Sequence, residues 1–377
     1  MIAAYLCGTN AGGAMALVVG GLMLQHWSQV CMNLPFAAAC GIPAWKAALL
    51  LVGLPGVLMA LVVFSLKDPV RVVSRPQSLG RHIVREFSAS IPPFTFLATS
   101  TEFGAKALIQ NLILFAASAA VAAGLGYATG DWVQWVALGI GFYSVGSWTQ
   151  MLRLRDRPLY ALTLGCPVYR RALGGMAALG CMAGTVQFWA APYAMREFHL
   201  SPSSVGGMLG AALLVGNLLG LVFGGVMTDI LRRRDPRAPF ILAGGSLLLP
   251  LPFVALMFTT GHPVVFVVSY FLHTMFSSMW GSAAGAFAQD MVLPRMRGTS
   301  AACTALLIIV ITLAIGPYWS GKISTMSGSL STGVLSIMAF VPLSAALLWS
   351  GARMIRRMTP EDRIARAAAH GEPAAAG

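Results

Sequence analysis

Acidic residues are scarce in this chain. Only 12 of its 377 residues are Asp or Glu, and charged residues of both signs make up 10% of it, against about 25% in soluble domains. A water-soluble fold of this size needs far more polar surface to cover its core. Cysteine and histidine number six each, and no Cys/His grouping has zinc-ligand spacing. No glycine loop leads into a lysine as phosphate-binding motifs require, and no HExxH occurs. Ser, His and Asp show no catalytic grouping along the chain. These absences argue against soluble-type catalysis, and no cofactor or metal is expected.

What the sequence has is apolar length. Hydrophobic residues reach 57% and mean hydropathy is +0.75. A membrane-crossing helix needs roughly 20 mostly apolar residues. Ten stretches qualify: 1–25, 44–66, 106–128, 131–150, 172–195, 205–228, 238–259, 263–289, 299–319 and 329–352. The expected class is therefore an all-α polytopic membrane protein of about ten transmembrane helices. The stretch 131–150 gives the weakest signal, being short and carrying Gln134, Ser144 and Ser147.

The formal net charge is +13. A basic protein invites a nucleic-acid reading, but these cations sit between apolar helices, where the positive-inside rule explains them. They cluster in 67–85 (Lys67, Arg71, Arg75, Arg81, Arg85) and in 151–171 (Arg153, Arg155, Arg157, Arg170, Arg171). More follow in 229–237 (Arg232, Arg233, Arg234, Arg237), in 290–298 (Arg295, Arg297) and in the tail. The alternate loops hold only Lys46, Arg196 and Lys322. Both termini are therefore expected on the cytoplasmic side of a bacterial inner membrane or a plasma membrane, with the lipid bilayer as main partner. Trp27, Trp132 and Trp319 fall near the opposite boundary and read as interface anchors. Cys31 and Cys40 share an outward-facing loop, where a disulfide is open to formation but not established by spacing.

The segments group as a first helix pair (1–66), a cytoplasmic loop (67–105), a helix hairpin (106–150) turned at Gly130-Asp131 and a basic linker (151–171). A six-helix bundle (172–352) and a cytoplasmic tail (353–377) complete the chain. Within the loop, Leu79, Ile83, Val84 and Phe87 recur on one helical face, as in a surface-lying amphipathic helix or an ordinary solvated one. Glu102, just before the hairpin, is expected to cap its first helix. The tail beyond residue 359, rich in Ala, Gly and charge, is expected to be disordered. Gly206, Gly210, Gly216, Gly220 and Gly224 recur along one segment, the pattern that lets helix backbones approach in lipid.

Two groups of residues stand out as candidates. Tyr270, His273, Ser277 and Trp280 recur at steps of three and four, one face of a helix with a titratable group near mid-membrane. Ionisable residues there are functional candidates, and imidazole titrates near neutral pH. The competing reading is a neutral histidine bonded to a neighbouring helix. Asn10, Gln187, Trp189 and Asn217 lie at similar depths. At the cytoplasmic boundary, Asp229 is followed by Arg233 and Arg234, while Asp290 ends another helix shortly before Arg297. A boundary carboxylate is costly unless paired. Asp229 against the N-terminus of 299–319, and Asp290 on Arg233 or Arg234, would latch helix pairs together. Ordinary topology-setting charges are the alternative.

The spacing Gly225-x-x-x-Asp229-x-x-x-Arg233-Arg234 resembles the loop motif of the major facilitator superfamily in its second-half copy. It departs from that motif in Ile230, where an arginine usually follows the acid, and in Arg232, where a glycine is usual. Asp290-x6-Arg297 is similar to the acid–arginine pair after the superfamily's tenth helix. Val52-Gly53-Leu54-Pro55-Gly56-Val57-Leu58 with Lys67-Asp68-Pro69-Val70-Arg71 resembles helix six of spinster-like members. Phe188-Trp189 with Pro192-Tyr193 resembles their helix seven, and the turn Pro294 to Gly298 fits them too. The resemblance implies that 1–66 match helices five and six, 172–352 match helices seven to twelve, and 106–150 is an insert between the halves. Helices one to four would be absent, so the chain reads as beginning in mid-protein: either the sequence starts late, or the fragment is inactive alone, or a partner polypeptide supplies the missing helices. The implied activity is alternating-access transport of a small organic, amphipathic or lipid-like solute. A membrane subunit acting by helix association, and an intramembrane enzyme centred on His273, are the other readings.

Overall fold

The computed structural model describes residues 2–33, 40–65, 80, 83, 87 and 95–372, and these are helical almost throughout. The chain runs α1 (Ile2–Met32), α2 (Ala44–Ser65), α3 (Thr95–Thr129), α4 (Trp132–Arg155), a short α5 (Arg157–Leu162), α6 (Pro167–Glu197) and α7 (Pro202–Arg232). It continues with α8 (Ala238–Leu248), α9 (Leu251–Met257), α10 (Pro263–Asp290), α11 (Arg297–Ser327), α12 (Leu330–Leu335), α13 (Phe340–Ile355) and α14 (Pro360–Ala368). Seven helical stretches among the described residues are long and apolar enough to cross a membrane. Helices α1, α4 and α6, of 31, 24 and 31 residues, occupy the other three expected spans. Helix ends pass the expected limits because hydropathy sees only the lipid-facing portion, while the backbone hydrogen-bond ladder continues beyond it. The loop 67–94, including the expected amphipathic face at Leu79 and Val84, lies almost entirely outside the described residues.

The chain forms two compact units. The first comprises 1–69, 174–287 and 311–356, and α7 organises it. One side of α7 meets α1: a Cβ on Gly206 would lie 2.6 Å from the Leu17 carbonyl oxygen, and one on Gly210 would lie 3.0 Å from that of Ala14. The other side meets α10, where a Cβ on Gly216 would sit 3.0 Å from Phe271 O and one on Gly224 2.7 Å from Met279 Cα. Gly220 is tighter still, its missing Cβ falling on the Met275 carbonyl and the Ser278 hydroxyl. The expected glycine face is therefore a packing face. Ser282 donates across it to Leu221 O at 2.9 Å. An aromatic cluster of Tyr193, Phe258 and Phe266 closes the other end of the core, with Tyr193 stacked on Phe266 at 5.5 Å. The expected span 238–259 is broken at Leu249-Pro250, since the two prolines Pro250 and Pro252 cannot both keep an unbroken ladder.

Cys31, in the last turn of α1, forms a disulfide with Cys40, and the Trp27 indole donates to Ile42 O at 2.7 Å. The cysteines Cys166, Cys181 and Cys303 are free and buried.

The second unit comprises 70–173, 288–310 and 357–377. Its α3–α4 hairpin turns at Gly130, whose φ of 77° favours glycine, and at Asp131. Of the polar residues that weakened the hydropathy signal of α4, Ser147 is accounted for here. Buried Asn111 donates to Ser147 Oγ and Gln150 Oε1, both at 2.8 Å, and accepts from Tyr143 OH at 2.8 Å. Helix α3 is interrupted at Gly104 (φ 76°, ψ −175°), close to where the sequence started the span. Glu102 takes a partner the sequence did not suggest: Arg155 at the foot of α4 grips both carboxylate oxygens at 2.9 Å.

The tail departs from expectation. Thr359 and Asp362 form a reciprocal capping box that nucleates α14, so 360–368 is ordered. Ala367 is fully buried, Arg366 donates to Gly165 O at 3.2 Å, and Arg363 donates to Asp290 O. Past the helix, Glu372 pairs with Arg295, which also holds Asp156 at 3.0 Å.

Two outcomes follow. Gly220→Ala forces α7 and α10 apart and should cost about 1–3 kcal/mol, the usual penalty of overpacking. Gly207→Ala on the same helix meets nothing within 4 Å and should be neutral or slightly stabilising. Thermal unfolding of the two variants in detergent checks the contrast. For the tail, the Arg295 hydrogen bond holds the Glu372 carboxyl below its ordinary value. Its contribution is then complete above the unfolded value near 4.3 and lost as pH falls through the lowered one. Hydrogen exchange in α14 should stay slow at pH 7 and rise below about pH 4, and Glu372→Gln should make it fast at both.

Candidate functional site

Helix α10 carries most of the expected cavity face into the core of the first unit. Tyr270, His273 and Ser277 are buried, as is Asn217 on α7, while Trp280 is half-buried. Hydroxyl groups on a membrane helix usually bond back to their own backbone. Ser277 does so to Thr274 O at 3.4 Å, and Thr274 to Phe271 O at 2.9 Å. Thr274 also reaches Ala212 O on α7 at 3.5 Å.

Tyr270 and His273 behave differently. Tyr270 is fully buried among Val186, Ala190, Leu213 and Phe266, and its hydroxyl has no hydrogen-bond partner among the described residues. His273 is 1% exposed, and its Nδ1 also lacks one. The two residues lie one turn apart on the same helix. An unsatisfied buried polar group costs about 1–3 kcal/mol, and these two fall on one face of α10. On α6, Thr185 Oγ1 is a third such group. Sequence reasoning passed over it, and Thr185 carried no signal beyond being polar in an apolar run.

The other candidates divide. Trp189 is half-buried and its indole donates to Pro317 O on α11 at 3.2 Å. Gln187 is exposed beside Phe188, away from the buried face. Asn10 lies on α1, with its side chain outside the described residues.

At the boundary, Gly225 is half-buried on α7, and Asp229, Arg233 and Arg234 are exposed at its end. The acid that finds a partner next to them is Asp235. The Arg237 guanidinium binds both of its oxygens, Oδ1 at 3.0 Å and Oδ2 at 2.7 Å, and its backbone N–H donates to Oδ1 at 2.8 Å. Those hydrogen bonds hold the Asp235 carboxyl below the usual carboxylate range. In the second unit, Asp290 closes α10 and Arg297 opens α11.

A further concentration of charge lies in the second unit. A cavity of about 970 Å³ is lined by Lys106, Arg153, Arg157 and Arg170. In the sequence these cations served topology alone. The overlooked signal is Lys106, which shares a helix face with Gln110 on an otherwise apolar span.

No family model matches the chain. Solved structures do resemble it. A bacterial homologue of the human lysosomal transporter Spinster, inward-facing and unoccupied, is 17% identical. It matches with a TM-score of 0.55 over 94% of this chain and 71% of its own. The same type of protein in an inward-facing, occupied form is also 17% identical, with a TM-score of 0.56 over 94% and 70%. The chain thus shares the fold of these bacterial Spinster homologues, and seven of its described helical stretches have the length and apolar character to cross a membrane.

Proposed function

We propose that this chain works as a secondary transporter by alternating access, moving a small organic or amphipathic solute without nucleotide hydrolysis. The observation that carries the reading is the partnerless pair, the Tyr270 hydroxyl and His273 Nδ1, buried on one face of α10 in a fold shared with transporters. In such folds the substrate and coupling sites lie near mid-membrane between the repeats. A donor and a titratable imidazole, set among apolar walls, suit a solute that is mostly apolar with one polar end. Asn217, Ser277, Trp280 and Trp189 would shape the cavity. Asn10 and Gln187 belong to the same proposal as residues of its margins. Gly225, Asp229, Arg233 and Arg234 in the first unit would serve as cytoplasmic gate residues, and so would Asp290 and Arg297 in the second. Residues 1–66 and 172–352 would supply the helices of the usual fold and 106–150 an inserted hairpin.

A second reading has its own support. Helix α2 exposes large apolar side chains around its whole surface, with Ala47 its buried residue. A partner supplying further helices would cover it, and the chain would then act by helix association.

Flux into proteoliposomes across a compound panel tests the proposal. His273→Ala should lower transport at least tenfold with folding intact, and Tyr270→Phe should raise the apparent KM. Flux that appears only when a partner co-purifies would move the chain to the subunit reading. Loss of chemical turnover in His273→Ala, with no solute ever carried, would make it an enzyme.

Topology follows from the same reading. With both termini cytoplasmic, a membrane-impermeant thiol reagent should label Asp131→Cys in intact cells and leave Arg233→Cys untouched until the cells are opened. The disulfide between Cys31 and Cys40 agrees with an oxidising outer face. Equal labelling at both positions would end this assignment.

A further inference from the structure

We infer that the basic cavity of the second unit binds the phosphate headgroup of an anionic membrane lipid. Four cations from four helices converge on it: Lys106 of α3, Arg153 of α4, Arg157 of α5 and Arg170 of α6. Among the described residues, no carboxylate lines it. The nearby acids are committed elsewhere, Glu102 to Arg155 and Asp156 to Arg295. Among the described residues, none of the four cations has an acid partner. Four like charges around one cavity repel each other, and an anion relieves that repulsion. Guanidinium groups match phosphate oxygens in pairs.

The apolar end of the site selects a lipid over a free anion. Phe103 and Leu154 line the cavity beside the cations. From Lys106, the exposed Ile109 (55%) and Ile113 (63%) follow at i+3 and i+7, one stripe along α3. A headgroup held by the cations would lay its acyl chain on that stripe. Basic pockets at the charged end of helix pairs are a general mode of headgroup recognition. The inference does not depend on the transport reading, because none of its residues belongs to the proposed solute cavity.

The test uses the full purified chain in zwitterionic detergent. Short-chain phosphatidylglycerol, short-chain phosphatidylcholine and inorganic phosphate are each titrated while thermal unfolding is followed. Phosphatidylglycerol should raise the midpoint at concentrations at least tenfold below those at which phosphate acts, and phosphatidylcholine should not. High salt should weaken the effect. Arg153→Gln with Arg157→Gln should lower the apparent affinity for phosphatidylglycerol roughly 10- to 100-fold, since two charge-assisted contacts are lost. Arg170→Gln gives a second and independent measure if the double variant is unstable without lipid. Arg353→Gln, a cation stacked on Trp349 in the other unit, should behave as wild type. Phosphate acting as strongly as phosphatidylglycerol would overturn the lipid assignment, and an unchanged response in both cavity variants would overturn the site.

Discussion

The first unit depends on how closely one helix can be approached. In lipid there is no hydrophobic gain in bringing two helices together, so association rests on packing and interhelical hydrogen bonds. Helix α7 meets this constraint with small residues on two adjacent faces. Gly206 and Gly210 accept the backbone of α1, while Gly216, Gly220 and Gly224 accept that of α10. The contact brings Thr274 and Ser282 of α10 against the α7 carbonyls of Ala212 and Leu221. With α10 held in that register, its remaining polar face, Tyr270 and His273, is buried inside the unit. The position of the candidate site is therefore a consequence of five absent Cβ atoms on another helix.

That constraint was legible before any coordinates, because glycine at a four-residue spacing has few other uses in an apolar span. The turn at Gly130 and the helical character of the apolar stretches were legible for similar reasons, each resting on a local property of the chain. What escaped was partner choice. Glu102 has an open helix start beside it and an arginine 53 residues away, and the ion pair it makes with that arginine is invisible at the level of spacing. Asp235 escaped through the opposite error. The family-like motif drew the eye to Asp229, while the acid two residues before Arg237 had the shorter path to a bidentate contact.

The tail is a different kind of miss. Its Ala-rich composition suggested disorder, yet Thr359-Pro360-Glu361-Asp362 holds a capping signature that was readable. Composition measures how much apolar area a segment can bury on average. It does not register that one alanine, Ala367, is enough when Arg363 and Arg366 secure the same helix to backbone carbonyls. Short helices of this kind are held by specific tertiary contacts rather than by propensity.

Arginine clusters in a membrane protein are commonly read as one signal, orientation. The basic linker shows that the members of one cluster are not equivalent. Arg155 is neutralised by Glu102, and Arg153 lies over the Tyr160 ring at 5.8 Å while also facing the cavity with Arg157 and Arg170. The positive-inside rule needs only that the charges stay on one side, and any arrangement of them would satisfy it. It does not require them to converge on a single cavity, nor the nearby acids to be drawn away from it. Topology therefore accounts for the sign and the side of these residues. Their convergence needs a second explanation, and a bound anion is the simplest one consistent with the charge around the cavity.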